Sequence, residues 1–318
     1  MTQTYAANGK LLLTGEYLVL HGALALALPL KLGQSMSVER LPRQTSLQWD
    51  AFDPKGHWFS ASLHPATFEV LHSDDFVKAE KLSAILKAVY ELNPHVFTQG
   101  LHFTTRLGFD TKWGLGSSST LLSNLGQWAE VDPYTLLKNT IGGSGYDIAC
   151  ATATSPIFYR LELDTPVTQP ACFMPPFAQQ LFFVYLGKKQ HSSKEVASFN
   201  ERWQHLDGQG DIEAVSTISR SLPRVQSLDE FCAVMDRHED ILSRCLDRPP
   251  VKTLFPDFEG SLKSLGAWGG DFILAATPWT DDKVRCYFRQ KGMDVVFNYN
   301  DIVYHHNKAI SNGTKLDQ

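Results

Sequence analysis

At 318 residues and 43% apolar content, the chain can build one large domain or two ordinary ones around a sizeable core. Acidic and basic residues are mixed to a net charge of −5 with no basic tract, which argues against a nucleic-acid partner. Five cysteines, at 150, 172, 232, 245 and 286, form no C-x-x-C pair and are odd in number, so neither a zinc site nor a disulfide framework is indicated and a reducing cytoplasm fits.

The apolar run over residues 11–30 carries Glu16 and His21 and lacks a small-residue cleavage pattern. A charge inside a membrane helix is costly, so the run reads as core strands, at 10–15 and 17–20, broken by Gly15-Glu16. Residues 35–40 and 46–49 alternate as half-buried strands do. Residues 76–92 form an amphipathic helix with Leu82, Ile85, Leu86 and Val89 on one face. A strand at 101–107 precedes a glycine-rich stretch, and a helix follows at 118–131. Asp132 caps the next helix, with Pro133 in its first turn. Beyond these come a strand at 181–186, helices at 193–206, 212–222 and 228–246, a strand at 272–276 and an edge strand at 294–298. The Pro-rich stretch 166–176 divides an N-terminal domain, 1–170, from a C-terminal one, 171–318, or is only a long loop.

The most informative segment is Gly114-Leu115-Gly116-Ser117-Ser118-Ser119, placed between a strand and a helix. Glycines let backbone turn tightly and approach a ligand, serines cap helices, and a helix N-terminus favours an anion. It is not a Walker A loop, because no Gly-Lys-Ser/Thr ends it, and the third glycine of a dinucleotide fingerprint is missing. Alone, it reads equally as a phosphate cradle or as an ordinary glycine turn with a serine cap.

Three more glycine segments accompany it: Gly9-Lys10 through Gly15-Glu16-Tyr17, Ser144-Gly145-Tyr146-Asp147-Ile148-Ala149, and Gly266-Ala267-Trp268-Gly269-Gly270-Asp271. Together, and in this order, they resemble the motifs of the GHMP kinase superfamily, named for galactokinase, homoserine kinase, mevalonate kinase and phosphomevalonate kinase. Gly9-Lys10 with Gly15-Glu16-Tyr17 is similar to the P-G-K-L-x-L-x-G-E-[HY] pattern of the mevalonate-pathway branch. The Asp147 and Asp271 segments look like phosphomevalonate kinases, with Tyr146 and Trp268 interrupting their patterns. His21-Gly22 and the segment Lys188-Lys189-Gln190-His191-Ser192-Ser193-Lys194 look more like mevalonate kinases.

The resemblance implies an α+β fold of two domains, the first like the second domain of ribosomal protein S5 and the second ferredoxin-like. It implies MgATP as cofactor, a small-molecule acceptor, no nucleic-acid or membrane partner, and a monomer or homodimer. Asp147 would take the proton of the attacking hydroxyl and Lys10 would neutralise the transferring phosphate. Backbone amides of Gly114, Leu115, Gly116, Ser117, Ser118 and Ser119 would hold the phosphates, and Ser118 would ligate magnesium. Glu16, Ser144, Gly145, Gly266, Gly269 and Gly270 would line the substrate site. Lys188, His191, Ser192, Ser193 and Lys194 would bind an anionic group at a helix N-terminus, or form a solvated face. That surplus of cations makes 5-phosphomevalonate the first expectation for the acceptor and mevalonate the alternative. A third reading is a catalytically weak relative that binds nucleotide or an isoprenoid intermediate. Two departures motivate it: the family's second magnesium-ligand Glu, eleven residues before Asp147, is here Leu136, and Trp113 and Trp268 could narrow, stack on or block the nucleotide site; the segment between the serine loop and Asp147 is also short.

Overall fold

The computed structural model describes residues 2–41, 46–97, 100–188, 192–205, 207–266, 268 and 270–305. Strands come first: β1 (Thr2–Thr14), β2 (Ala25–Leu41), β3 (Leu47–Asp53), β4 (Gly56–Leu63) and β5 (Val70–Ser73). Then follow α1 (Phe76–Leu92), β6 (Gly100–Leu107), α2 (Ser117–Ala129), α3 (Pro133–Thr140), α4 (Tyr146–Thr152), β7 (Ile157–Glu162) and β8 (Thr165–Pro170). The last part holds β9 (Leu181–Tyr185), α5 (Ser192–Trp203), α6 (Gln209–Ser221), α7 (Leu228–Leu246), β10 (Ser261–Leu265), β11 (Phe272–Ala276), α8 (Asp281–Gln290), β12 (Val296–Asn298) and α9 (Tyr299–Ile302). The fold is α+β with two sheets.

The first sheet runs β5-β4-β3-β6-β2-β7-β8, with β1 paired to β2; only the β3–β6 pair is parallel. Met36, Val38, Trp49 and Phe103 pack one face of it against Leu82 and Leu86 of α1 and Leu122 and Leu125 of α2. The second sheet, β10-β11-β9-β12, is antiparallel throughout, with β12 at its edge. Both its faces are covered. In β9, Leu181 and Phe183 enter one cluster while Phe182 and Val184 enter another against α8, which is why the strand reads as a continuous apolar run. The larger cluster joins Leu11, Leu13 and Leu28 of the first sheet to Phe183 and Leu274 of the second and to Phe231 and Leu242 of α7. The two sheets therefore share a core.

One expected strand is absent. Residues 17–20 turn instead, because Gly15 (φ 93°) and Tyr17 (φ 62°) both adopt left-handed backbone, and a 3-10 turn at Leu18–His21 ends at Gly22. The strands β4, β5, β7, β8 and β10 and the helices α4, α8 and α9 were not anticipated.

Candidate active site

β1 delivers Lys10 to the glycine loop. A bulge at Asn8/Gly9 offsets the strand, and any Cβ at Gly9 would meet the Leu32 carbonyl at 2.4 Å and that of Leu115 at 3.0 Å. The missing side chain lets Lys10 N–H donate to Leu115 O at 3.0 Å, so the loop is pinned to the strand. The loop then enters α2. Gly116, not a serine, is the N-cap: its φ is 99° and no side chain caps the helix. Ser117, Ser118 and Ser119 form the first turn, whose amides have no intrahelical partner and suit an anion. Ser118 is exposed, whereas Ser119 is buried and its hydroxyl donates to Gly116 O.

Opposite Lys10 stands α4, capped by Gly145 (φ 86°). Tyr134 and the fully buried Tyr159 press on Gly145, and the Tyr159 hydroxyl donates to Ser144 O, which fixes the turn before the helix. Asp147, on the first turn, places Oδ1 3.4 Å from Lys10 Nζ. Lys10 Nζ also donates to the Tyr146 hydroxyl at 2.8 Å. Burial alone would lower the pKa of Lys10. Asp147, Tyr146 and Asp271 outweigh it and raise the pKa above the ordinary lysine value, so the ammonium is a permanent cation.

The third glycine segment closes the other side. Asp271, in left-handed backbone at φ 49°, sets its carboxylate against Gly114, where any Cβ would come within 2.4 Å of it. Its N–H donates to Lys188 O at 2.8 Å and thereby ties the exposed Lys188 to the segment. Gly266 (φ 70°) and Gly270 flank the turn. Trp268 is buried in the core, and its N–H donates to the Tyr17 hydroxyl at 2.9 Å. Trp113 packs edge-on against Phe272 and Phe297 of the second sheet. The Trp113 indole thus seats the serine loop, and the main-chain amide of Trp268 ties the third glycine segment to the first. Ser192, Ser193 and Lys194 open α5, while His191, Lys189 and Gly269 lie outside the described residues.

No protein-family model matches the chain, nor does any curated protein. Solved structures do. L. major mevalonate kinase, solved with R-mevalonate, aligns at TM-score 0.68 and 18% identity over 96% of each chain. Methanococcus jannaschii mevalonate kinase aligns at 0.67 and 14%, covering 94% of this chain and 97% of that one. Streptococcus pneumoniae phosphomevalonate kinase, solved with phosphomevalonate and AMPPNP, aligns at 0.62 and 14%, covering 93% and 99%. The chain has the GHMP kinase fold.

Within that fold, Glu16 does not face open space. Its side chain is 3% exposed, and Oε1 receives Lys263 Nζ at 2.5 Å. Lys263, itself fully buried, also donates to Ser264 O. His238 Nε2 accepts the Gly15 N–H at 3.0 Å and lies 3.6 Å from Glu16 Oε2. Burial first, then the Lys263 charge, depress the His238 pKa well below its usual value, so it is neutral. Glu239 completes the group by accepting from Val251 N and from the amide and hydroxyl of Ser264. Lys263, His238 and Glu239 were missed from sequence, yet signals existed. Lys263 is one charge in a short strand. His238 falls on the apolar stripe Phe231, Met235, Leu242 of α7 at helical spacing.

Magnesium bound to a triphosphate needs only one or two protein ligands. The GHMP fold here presents the exposed Ser118 hydroxyl and, across Gly114, the Asp271 carboxylate. Among the described residues no three metal-ligating side chains converge, and Leu136 is buried in the core. The residues fit an ion held mainly by phosphates. A cavity of about 380 Å³ lies behind α4, lined by Ser123, Thr152, Ser155, Thr168 and Gln169 among others. No charged side chain lines it. Among the described residues no helix is long and apolar enough to cross a membrane.

Proposed function

We propose that the chain is a kinase that transfers the γ-phosphoryl group of MgATP to the hydroxyl of a small isoprenoid-precursor acid, mevalonate or a close analogue. The reading rests on one juxtaposition: a carboxylate oxygen 3.4 Å from a half-buried ammonium, beside a helix N-terminus with no side-chain cap. The amides of Ser117, Ser118 and Ser119 would hold the phosphates, and Ser118 would contribute a magnesium ligand. The acceptor oxygen bonds to the γ-phosphorus as the bond from that phosphorus to the β,γ-bridging oxygen breaks. ADP departs with the electron pair, and the hydroxyl proton passes to Asp147. Lys10 neutralises charge on the transferring group.

A hydroxyl acceptor suits this site better than a phosphate. A phosphate monoester, with its second pKa near 6, has already lost its proton at neutral pH and leaves a general base nothing to remove. The second reading is 5-phosphomevalonate, favoured by the cations around Lys188 and Lys194. Measuring kcat/KM with mevalonate, 5-phosphomevalonate, homoserine and simple sugars in a coupled ADP assay separates them. Preference for mevalonate, unchanged in Lys194→Ala, supports the first reading. Preference for 5-phosphomevalonate, lost in Lys194→Ala, supports the second. Saturable nucleotide binding without turnover on any acceptor would overturn both.

A further inference from the structure

We infer that Tyr146 is a positioning residue for Lys10, a role that rests on the kinase reading above. Tyr146 and Asp147 are consecutive on the first turn of α4, and both reach the same ammonium from across the cleft. The phenol oxygen accepts from Lys10 Nζ at 2.8 Å, and the ammonium lies 5.1 Å from the centre of the phenol ring. The carboxylate stands farther off, at 3.4 Å, and its Oδ1 is buried without a hydrogen-bond partner among the described residues.

An ammonium has three N–H donors and a strong pull toward a nearby carboxylate. Left alone, Lys10 would close onto Asp147 and occupy the lone pairs that must receive the acceptor's proton. The Tyr146 hydroxyl takes one donor and holds the ammonium short of that contact. The phenol, which also hydrogen-bonds the Asp147 carboxylate, keeps Oδ1 out of the Lys10 hydrogen bond, and Lys10 keeps a donor for the transferring phosphoryl group. Tyr146 is not itself the base. Burial, and then the Asp147 charge, raise its pKa, so the phenol stays protonated. The sequence pattern treats Tyr146 only as an interruption between Gly145 and Asp147; the structure makes it the third member of the group.

The test is a double-mutant cycle on the full chain: wild type, Tyr146→Phe, Lys10→Met and the double variant. Phe keeps the ring and its packing and removes only the hydroxyl. With the best acceptor, Tyr146→Phe should lower kcat roughly tenfold, the low end for a hydrogen bond to a charged group. Its KM values and calorimetric MgATP affinity should stay within about twofold, because the lost contact acts in the transition state. In the Lys10→Met background the same substitution should change nothing further, since coupled residues are non-additive. Equal loss in both backgrounds, or wild-type kcat in Tyr146→Phe, overturns the inference. The same cycle read in urea midpoints needs no substrate. Non-additive midpoints with no turnover in wild type would leave the Tyr146–Lys10 link standing and sink the kinase reading instead. Additive midpoints with active wild type would do the reverse.

Discussion

Glu16 separates two roles that a motif cannot distinguish, a substrate ligand and a buried brace. Lys263→Met decides between them. In the structure the two side chains are 0% and 3% exposed and meet at 2.5 Å. Removing the ammonium leaves Glu16 with a neutral histidine as its nearest charged-type neighbour and with Oε2 unpartnered. Breaking a buried ion pair from one side costs about 3–5 kcal/mol, because the survivor remains desolvated. At roughly 2 °C per kcal/mol for a chain of this size, Tm should fall by about 6–10 °C. The double variant Glu16→Leu/Lys263→Met removes both charges and should recover most of that loss, since apolar replacement of a whole buried pair is often neutral. Calorimetric melting of the three variants, alongside KM for the acid substrate, supplies both readouts. If Lys263→Met melts within about 1 °C of wild type, or Glu16→Leu raises KM tenfold without losing stability, the brace is wrong and Glu16 belongs to the substrate.

Other outcomes follow from the same geometry. Asp147→Asn keeps the shape of α4 and removes the proposed base, so kcat should fall about 10²–10⁴-fold with calorimetric MgATP affinity retained; wild-type turnover in a folded variant removes Asp147 from the mechanism. Gly116→Val forces a β-branched residue to φ 99° with its Cβ 2.9 Å from Ser119 Oγ and 3.2 Å from Lys10 Cγ. It should cost about 1–3 kcal/mol of loop strain and at least tenfold in MgATP affinity, and unchanged affinity would place the phosphates elsewhere. His238 stays neutral in the fold, whereas the unfolded chain titrates near the usual 6.5. The unfolded state therefore binds the extra proton, and stability falls as pH drops below 6.5, by up to about 1.4 kcal/mol per pH unit. Glu16 and Glu239, with pKa values raised chiefly by burial, bend the curve the other way and lose stability as pH rises through those values. The stability difference between wild type and His238→Gln isolates the histidine; a difference that stays flat from pH 7.5 to 5 would mean that His238 carries its proton in the fold.

Long periodic elements were legible because burial on one face repeats in sequence. Residues 76–92 became α1 with those bounds, and Asp132 capped α3 by accepting from the amides of Tyr134 and Thr135. Some of the strands missed were short or lay on exposed edges, where alternation has too few residues to register, as in β5 and β8; the eight-residue interior strand β4 was missed although its burial alternates. Residues 17–20 failed for a different reason. Their composition suits a strand, but Gly15 and Tyr17 take left-handed backbone that composition does not encode. At the site, Lys10, Asp147 and the Gly114–Ser119 stretch were legible as motif positions, and the structure brings them together. The serine cap was not, because Gly116 takes the cap position and leaves the first-turn amides free of side-chain partners.

The buried brace was out of reach for a deeper reason. Glu16 and Lys263 are 247 positions apart, and nothing local marks either as the other's partner. Tyr17 and Trp268 pose the same problem, 251 positions apart. Yet these two contacts join the first glycine segment to the third. Glu16 holds the strand that leads into the third segment, and the Tyr17 hydroxyl holds the amide within it. Trp113 meanwhile seats the start of the serine loop on the second sheet. Motif residues that look like ligands can therefore act as spacers that set how far the serine loop stands from Asp271 and Lys188. Loosening a spacer moves both sides of the cleft at once. Substitutions at Tyr17 should then change kcat and KM together, whereas those at Asp147 should change kcat alone, and that contrast separates residues that brace the cleft from residues that act inside it.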